Sequence, residues 1–377
     1  MKFQYRKAEN IHLSSLLPFE SIWTGGSMDT LEKSEAAVAF PLHRPDNEYH
    51  YLHEAAIIVW HGIIFCSWYN CPEAELRGFT PIRGTFSKDG GKSWSKVETI
   101  AEDPAKKLIF CPPVYGICDD ELYMLINTMI GPDLIHSIEF YKFDPATEKF
   151  VFLKSEPLPF KLTTNVYAMA NGKLLLPGRI AEMDSFPATP AVLISDSGKI
   201  DAPWRLVKIQ QDKFLPDGSK LVHPECCAIL QNNTVNIFCR DDERNVPLFY
   251  RSSDYGETWS GVMEHNIPFT NSKIYSGTLA DGRNYLIGNI ADPEEAAYSS
   301  ASRARLALFI SEPETLRFTK GILLRDGYDA EQDLYPQWSY PVAYEWENRL
   351  YVIYTMSSDG NQNHRGAMLS IVDLTKI

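Results

Sequence analysis

A chain of 377 residues, 44% of them hydrophobic, can bury a substantial core, and a formal charge of −13 without any basic run argues against a nucleic-acid partner. No run of about 18 apolar residues could span a bilayer, and Met1–Lys7 lacks the apolar core of a signal peptide, so a cytoplasmic location and no membrane partner are expected. The seven cysteines form no C-x-x-C pair, and several sit in apolar runs where a free thiol acts as a small hydrophobe; no metal site or other cofactor is expected.

In chain order, the pattern is a series of hairpins, each an apolar run, a polar turn and a second apolar run. They are His53–Trp60 with Gly62–Tyr69, Pro113–Cys118 with Glu121–Asn127, and Asn165–Ala170 with Lys173–Arg179. Glu225–Leu230 with Thr234–Arg240, Lys273–Leu279 with Asn284–Asn289, and Tyr340–Tyr344 with Arg349–Thr355 follow. Their starts are roughly 50 to 70 residues apart, enough for a four-stranded blade. A third strand follows each hairpin: Ile82–Ser87, Ser137–Phe143, Ala191–Ser195, Leu248–Ser252, Leu306–Ser311 and Ala367–Val372. Six such units predict an all-β, six-bladed propeller occupying residues 1–377 as a single domain. The last unit lacks a fourth strand, which Ala36–Leu42 can supply from the N-terminus, leaving no open edge.

Two of the turns after third strands share one pattern, S-x-D-x-G-x-x-W. They are Ser87-Lys88-Asp89-Gly90-Gly91-Lys92-Ser93-Trp94 and Ser252-Ser253-Asp254-Tyr255-Gly256-Glu257-Thr258-Trp259. Ser and Asp side chains bond backbone N–H groups within such a turn, Gly supplies positive φ, and Trp folds back over the hairpin. Ser195-Asp196-Ser197-Gly198 with Trp204 reads as a degraded copy.

In a blade, first strands start and second strands end on one face, and the S-x-D-x-G-x-x-W turns lie on the other. The residues at the first face are polar: His53, Glu54, Asn165, Glu225, Asn271, Lys273 and Tyr340 at strand starts; Trp68, Asn127, Arg179, Arg240 and Asn289 at strand ends. A polar ring in a central mouth is the default ligand site, although mutual ion pairing would also satisfy it.

The repeated turn resembles the Asp-box of the sialidase superfamily, whose members are β-propellers. The segment from Pro224-Glu225-Cys226-Cys227 through Arg240 resembles the family's segment carrying a catalytic Glu and a substrate-carboxylate Arg. The resemblance implies that Glu225 polarises a Tyr nucleophile and that Arg240 belongs to a three-Arg carboxylate clamp. Trp338-Ser339-Tyr340-Pro341 lies where the family places that Tyr; Trp338 falls nearest the expected position, with Tyr340 the candidate two residues on and Tyr335 an alternative. The chain departs from the family at Leu52-His53-Glu54, where an R-I-P motif is usual, and blade five offers Lys273, Asn289, Arg303 and Arg305 for the third Arg. The acid/base Asp expected after Trp68-Tyr69-Asn70 is absent, with Glu73 and Glu75 nearest.

The expected function is a sialidase-like exo-glycoside hydrolase acting on a terminal acidic sugar, sialic acid or a uronate. Glu225, Tyr340, His53 and Glu75 are its catalytic candidates. Arg240, Arg179, Glu54, Trp68, Asn165, Asn271, Lys273 and Asn289 are its substrate-binding candidates. A non-catalytic glycan- or protein-binding propeller, and a uronate lyase or rhamnosidase on the same fold, stand as alternatives. The partner is a carbohydrate; the sequence sets no oligomeric state.

Overall fold

The computed structural model describes residues 17–132, 134–180, 188–212, 214–241, 248–290, 303–327, 336–357 and 363–377, apart from the Asp29 side chain. Six small antiparallel sheets ring one axis as a six-bladed β-propeller. The first strands of blades one and two, Tyr51–Trp60 and Ile109–Cys118, are buried along nearly their whole length. Apolar side chains from neighbouring blades mesh there, and one such cluster joins the sheets of blades one, five and six. No helix among the described residues is long and apolar enough to cross a membrane.

Ring closure follows the expected route. Ala37–His43 pairs antiparallel with Gly366–Asp373 as the fourth strand of blade six, so both ends of the chain share one sheet. The residues before it form a belt outside the ring. Phe19–Glu20 adds in parallel to Met263–His265 at the edge of blade four. Trp23 and Lys33 then bridge to Phe318 and Leu323 of blade five. The belt covers edges that would otherwise template aggregation.

The two repeated turns are built alike. Ser87 Oγ accepts the Gly91 N–H at 2.9 Å, and Ser252 Oγ accepts the Gly256 N–H at 2.8 Å. Asp89 accepts the backbone N–H and hydroxyl of Ser93 at 2.9 and 2.6 Å, and Asp254 treats Thr258 identically. Those two bonds lower the Asp89 carboxyl to about 2. Gly91 and Gly256 have φ of +88° and +86°, which bulkier residues adopt only under strain. The degraded copy keeps Trp204, but Asp196 turns outward to Lys173 and Arg205 instead of capping its own turn.

One expected strand is broken. In place of the expected continuous Asn165–Ala170, only Tyr167–Ala168 pairs there, and Phe160–Leu162 pairs with the other end of the second strand. Between them the side chains leave the ladder to stitch blades together. Thr163 Oγ1 donates to Pro177 O and Cys226 O, and Asn165 bonds Tyr115 N and Ile57 O.

Removing the Ser252 hydroxyl orphans the buried Gly256 N–H. Ser252→Ala is expected to cost about 2 kcal/mol, read as a lower denaturation midpoint at unchanged m-value; a change under about 0.5 kcal/mol would show that the turn contributes little.

Candidate functional site

The site end of the axis is where regular pairing fails in blade after blade. The first strands of blades one, two and six each carry an irregularity at this level: His53/Ala56, Phe110/Pro113 and Ser339/Val342. Such bulges re-aim side chains. Here they bring Glu54 (φ +45°), Cys111 and Tyr340 (φ +60°) into one cluster of contacts. A tyrosine in the left-handed region is strained, a feature concentrated at functional sites. In blades four and five, Glu225 and Lys273 stand just ahead of the strands Cys226–Gln231 and Tyr275–Thr278.

Arg240 links blades four and six. Its Nη1 donates to Glu225 Oε2 at 2.7 Å and to the Tyr340 hydroxyl at 2.6 Å, so carboxylate and phenol meet across one nitrogen. Three cations surround the Tyr340 ring, with Arg303, Lys273 and Arg240 at 5.3, 5.8 and 6.0 Å from its centroid. On the remaining side, His53 packs its ring 4.1 Å from that of Tyr340. Thr355 Oγ1 lies 2.7 Å from His53 Nδ1, which leaves Nε2 without a protein hydrogen bond among the described residues.

Charge balance sets the protonation states. Burial drives the His53 pKa well below its ordinary value, and Arg365, Arg303, Lys273 and Arg240 push it further, so the imidazole is neutral. The two buried carboxyls diverge. Burial raises Glu54, with Lys161 and Lys273 opposing and Glu225 and Glu75 adding to the shift. Burial also works against ionisation of Glu225, but Arg240, Lys273 and Arg179 outweigh it and hold the carboxyl below its usual range. Tyr340 is raised, chiefly by burial, against the pull of Arg240. The two buried carboxyls thus differ in their tendency to ionise.

A second cluster lies beneath Glu54. Lys161 Nζ donates to Cys111 O at 2.9 Å and contacts Cys111 Sγ at 3.2 Å, while the Cys111 thiol faces Glu54 Oε1 at 3.7 Å. Lys273 Nζ stands 3.9 Å from Glu54 Oε2, which puts the Glu54 carboxyl between two ammonium groups.

Of the candidates, Glu225, Arg240, Tyr340, His53, Glu54 and Lys273 converge. Arg179 sits at their margin, donating to Val222 O at 3.1 Å. Asn271 enters through its backbone, accepting from Arg303 Nη2 at 3.3 Å. Glu75 is exposed at the rim, 3.4 Å from the Tyr69 hydroxyl. Tyr335 lies outside the described residues.

Three candidates belong to the scaffold instead. Trp68 has no exposed surface; it donates to Asn70 Oδ1 and stacks on His43 of the closing strand, so no sugar can reach its face. Asn165 spends its amide on the backbone of blades one and two. Asn289 donates to the carbonyls of Arg303, Arg305 and Trp338, holding two mouth segments in place.

Arg365 was missed altogether, and Arg303 was one of several possibilities. Both lie just before third strands, Gly366–Asp373 and Leu306–Pro313. Third strands start on the same face as first strands, so extending the strand-end rule to them would have found both residues.

Among known proteins, the family model described as a BNR repeat-like domain matches residues 157–352. No curated protein matches. A crystal structure of a Dyadobacter fermentans protein of unknown function aligns with a TM-score of 0.68 at 16% identity, covering 90% of this chain and 100% of that one. The NanB sialidase of Streptococcus pneumoniae aligns at 0.67 and 12% identity, covering 90% of this chain and 70% of that one. Trypanosoma rangeli sialidase in complex with sialic acid aligns at 0.67 and 14% identity, covering 92% and 60%. At such identities the likeness concerns the fold.

Arg240→Met would leave the Glu225 carboxylate buried without its closest partner, an expected loss of about 3 kcal/mol in chemical denaturation. Adding Glu225→Gln should restore at least about 1 kcal/mol of it; strict additivity of the two substitutions would mean the pair is not coupled.

Proposed function

Because the chain belongs to the BNR repeat-like family and has the sialidase-like six-bladed propeller, we propose that its mouth is the active site of an exo-acting glycoside hydrolase for a terminal sugar bearing a carboxylate. The observation that carries this reading is the crowding of Arg240, Lys273 and Arg303 around Tyr340 in a chain whose overall charge is −13. Cations gathered against the net charge of the chain favour an anionic ligand, and guanidinium binds carboxylate through two parallel bonds.

In this reading the substrate carboxylate lies against Arg240 and Arg303, with Lys273 beneath. Tyr340 Oη attacks the anomeric carbon while its proton passes to Glu225, which the neighbouring cations keep ionised and ready to accept it. A phenol nucleophile is a recognised exception among glycosidases. The glycosidic C–O bond breaks as Glu54, whose pKa is raised by burial, gives its proton to the leaving oxygen. Water then enters, gives a proton to Glu54 and displaces the sugar from Tyr340, which recovers its proton from Glu225. His53, held neutral, fixes the Tyr340 ring through their 4.1 Å contact.

The same ring contact favours one other reading. His53 Nε2 and Tyr340 side by side could remove and deliver protons on a uronate, giving β-elimination in place of hydrolysis. The products differ, since elimination leaves a conjugated double bond with ultraviolet absorbance and hydrolysis does not.

Chromogenic sialic acid and uronic acid glycosides are the substrates to test. Release of the free sugar is expected from the wild type, with Tyr340→Phe and Glu225→Gln each lowering kcat by about 10²-fold or more. Glu54→Gln should remove the acid function, while Glu75→Gln should change kcat less than about threefold. Turnover that survives Tyr340→Phe, or no turnover on any acidic glycoside, would overturn the proposal.

The pH profile gives an independent check. A His whose folded pKa lies well below 6.5 stays uncharged until the pH falls below that lowered value. kcat/KM should therefore show no inflection from His53 between about pH 8 and pH 6. A loss of activity centred near 6.5 that His53→Gln removes would contradict the assigned neutral state.

A further inference from the structure

The propeller axis has a second cavity, at the end opposite the mouth and on the face of the repeated S-x-D-x-G-x-x-W turns. It holds about 420 Å³. Hydrogen bonds between blades run along its inner side. Tyr167 Oη donates to Ser276 O at 3.1 Å, Ser276 Oγ to Ala228 O at 2.8 Å, and Asn165 Nδ2 to Ile57 O at 3.1 Å. Ala168, Gly277, Ala280 and Ala343 in the lining put little side-chain volume into the space.

Four phenols line the space: Tyr167, Tyr275, Tyr285 and Tyr344. Tyr285 is paired across the ladder with Gly277, and its hydroxyl stands 2.4 Å from where a Cβ at position 277 would be. Glycine at 277 is thus what lets this phenol lie over the first strand toward the axis. Tyr275 and Tyr285 pack with centroids 6.4 Å apart and planes at 31°.

Among the described residues lining the cavity, Glu345 is the only charged one. Its Oε2 accepts the Ala280 N–H at 2.6 Å, and among the described residues its Oε1 has no protein hydrogen bond. The nearby Arg283 is engaged elsewhere, with Asp281 Oδ2 at 2.7 Å and Ile377 O at 3.1 Å. The charge here is therefore opposite to that of the mouth: aromatic faces and one half-buried carboxylate, with no lysine or arginine in the lining.

We infer that this second cavity is a binding site for a small organic cation of the alkylammonium class, held over the faces of Tyr275, Tyr285 and Tyr344 and neutralised by Glu345. The ring quadrupole attracts a cation at the phenol face, and the carboxylate supplies the matching charge. Its lining shares no residue with the cluster around Tyr340, whose surplus of positive charge would repel the same ligand.

Calorimetric titration of the full chain with choline tests this. Binding at a Kd of about 1 mM or tighter is expected. Glu345→Gln should weaken it by about tenfold, and Tyr285→Leu by a similar factor. Tyr344→Leu, at a half-buried position, is the substitute should Tyr285→Leu fail to fold. Glu225→Gln, which alters only the mouth, should leave choline binding unchanged. No heat up to about 10 mM choline would overturn the inference. So would equal binding of its uncharged isostere 3,3-dimethylbutan-1-ol, or loss of choline binding in Glu225→Gln.

Discussion

Six first strands converge on one axis, and the side chains at their ends must be packed, paired or bound to a ligand because the space is too small to hydrate them freely. At one end this chain meets the constraint with charge. Arg240 Nη1 holds Glu225 of its own blade and Tyr340 of blade six, and Lys273 and Arg303 close in on the same phenol. Local pairing gives way to that demand, with bulges in blades one, two and six and a broken first strand in blade three. The irregular backbone and the buried charges have one origin.

The electrostatics then follow from composition at short range. Burial keeps His53 neutral with help from the cations around Tyr340, the same cations hold Glu225 ionised, and burial pushes Glu54 toward its protonated form against the pull of Lys161 and Lys273. Two glutamates of one axis thus acquire opposite tendencies because one faces a guanidinium at 2.7 Å and the other an ammonium only at 3.9 Å. The opposite end of the axis resolves the same crowding with small residues, phenol faces and a single carboxylate.

The ring that imposes this constraint depends on the N-terminal segment. Ala37–His43 completes blade six, and Trp68 of blade one stacks on His43 of that strand, so the closing strand is held by a neighbouring blade as well as by its own ladder. The belt that precedes it reaches blades four and five through a parallel pair and isolated bridges, contacts between residues more than 200 positions apart.

The architecture was legible in the chain itself. Alternation of apolar runs and turns is local, so six hairpins, their third strands and the closing strand could be read within a few residues of their observed bounds, and the two Ser-x-Asp turns carry their hydrogen bonds within eight residues. Glu225, Arg240, Tyr340, His53, Glu54 and Lys273 were legible as well, because strand ends on one face of a propeller must meet. What the sequence could not settle was which polar residues face the cavity and which hold the frame. Trp68, Asn165 and Asn289 share the strand-end signature of the site residues, yet Trp68 donates within its own strand while Asn165 and the Asn289 amide nitrogen bond the backbone of other segments. Arg303 and Arg365 stand just before third strands, whose starts share the face of the mouth. Local pattern determined the ring; the direction of each side chain, and with it the charge state of the mouth, depended on contacts between segments far apart in the chain, and only the tertiary structure supplied those.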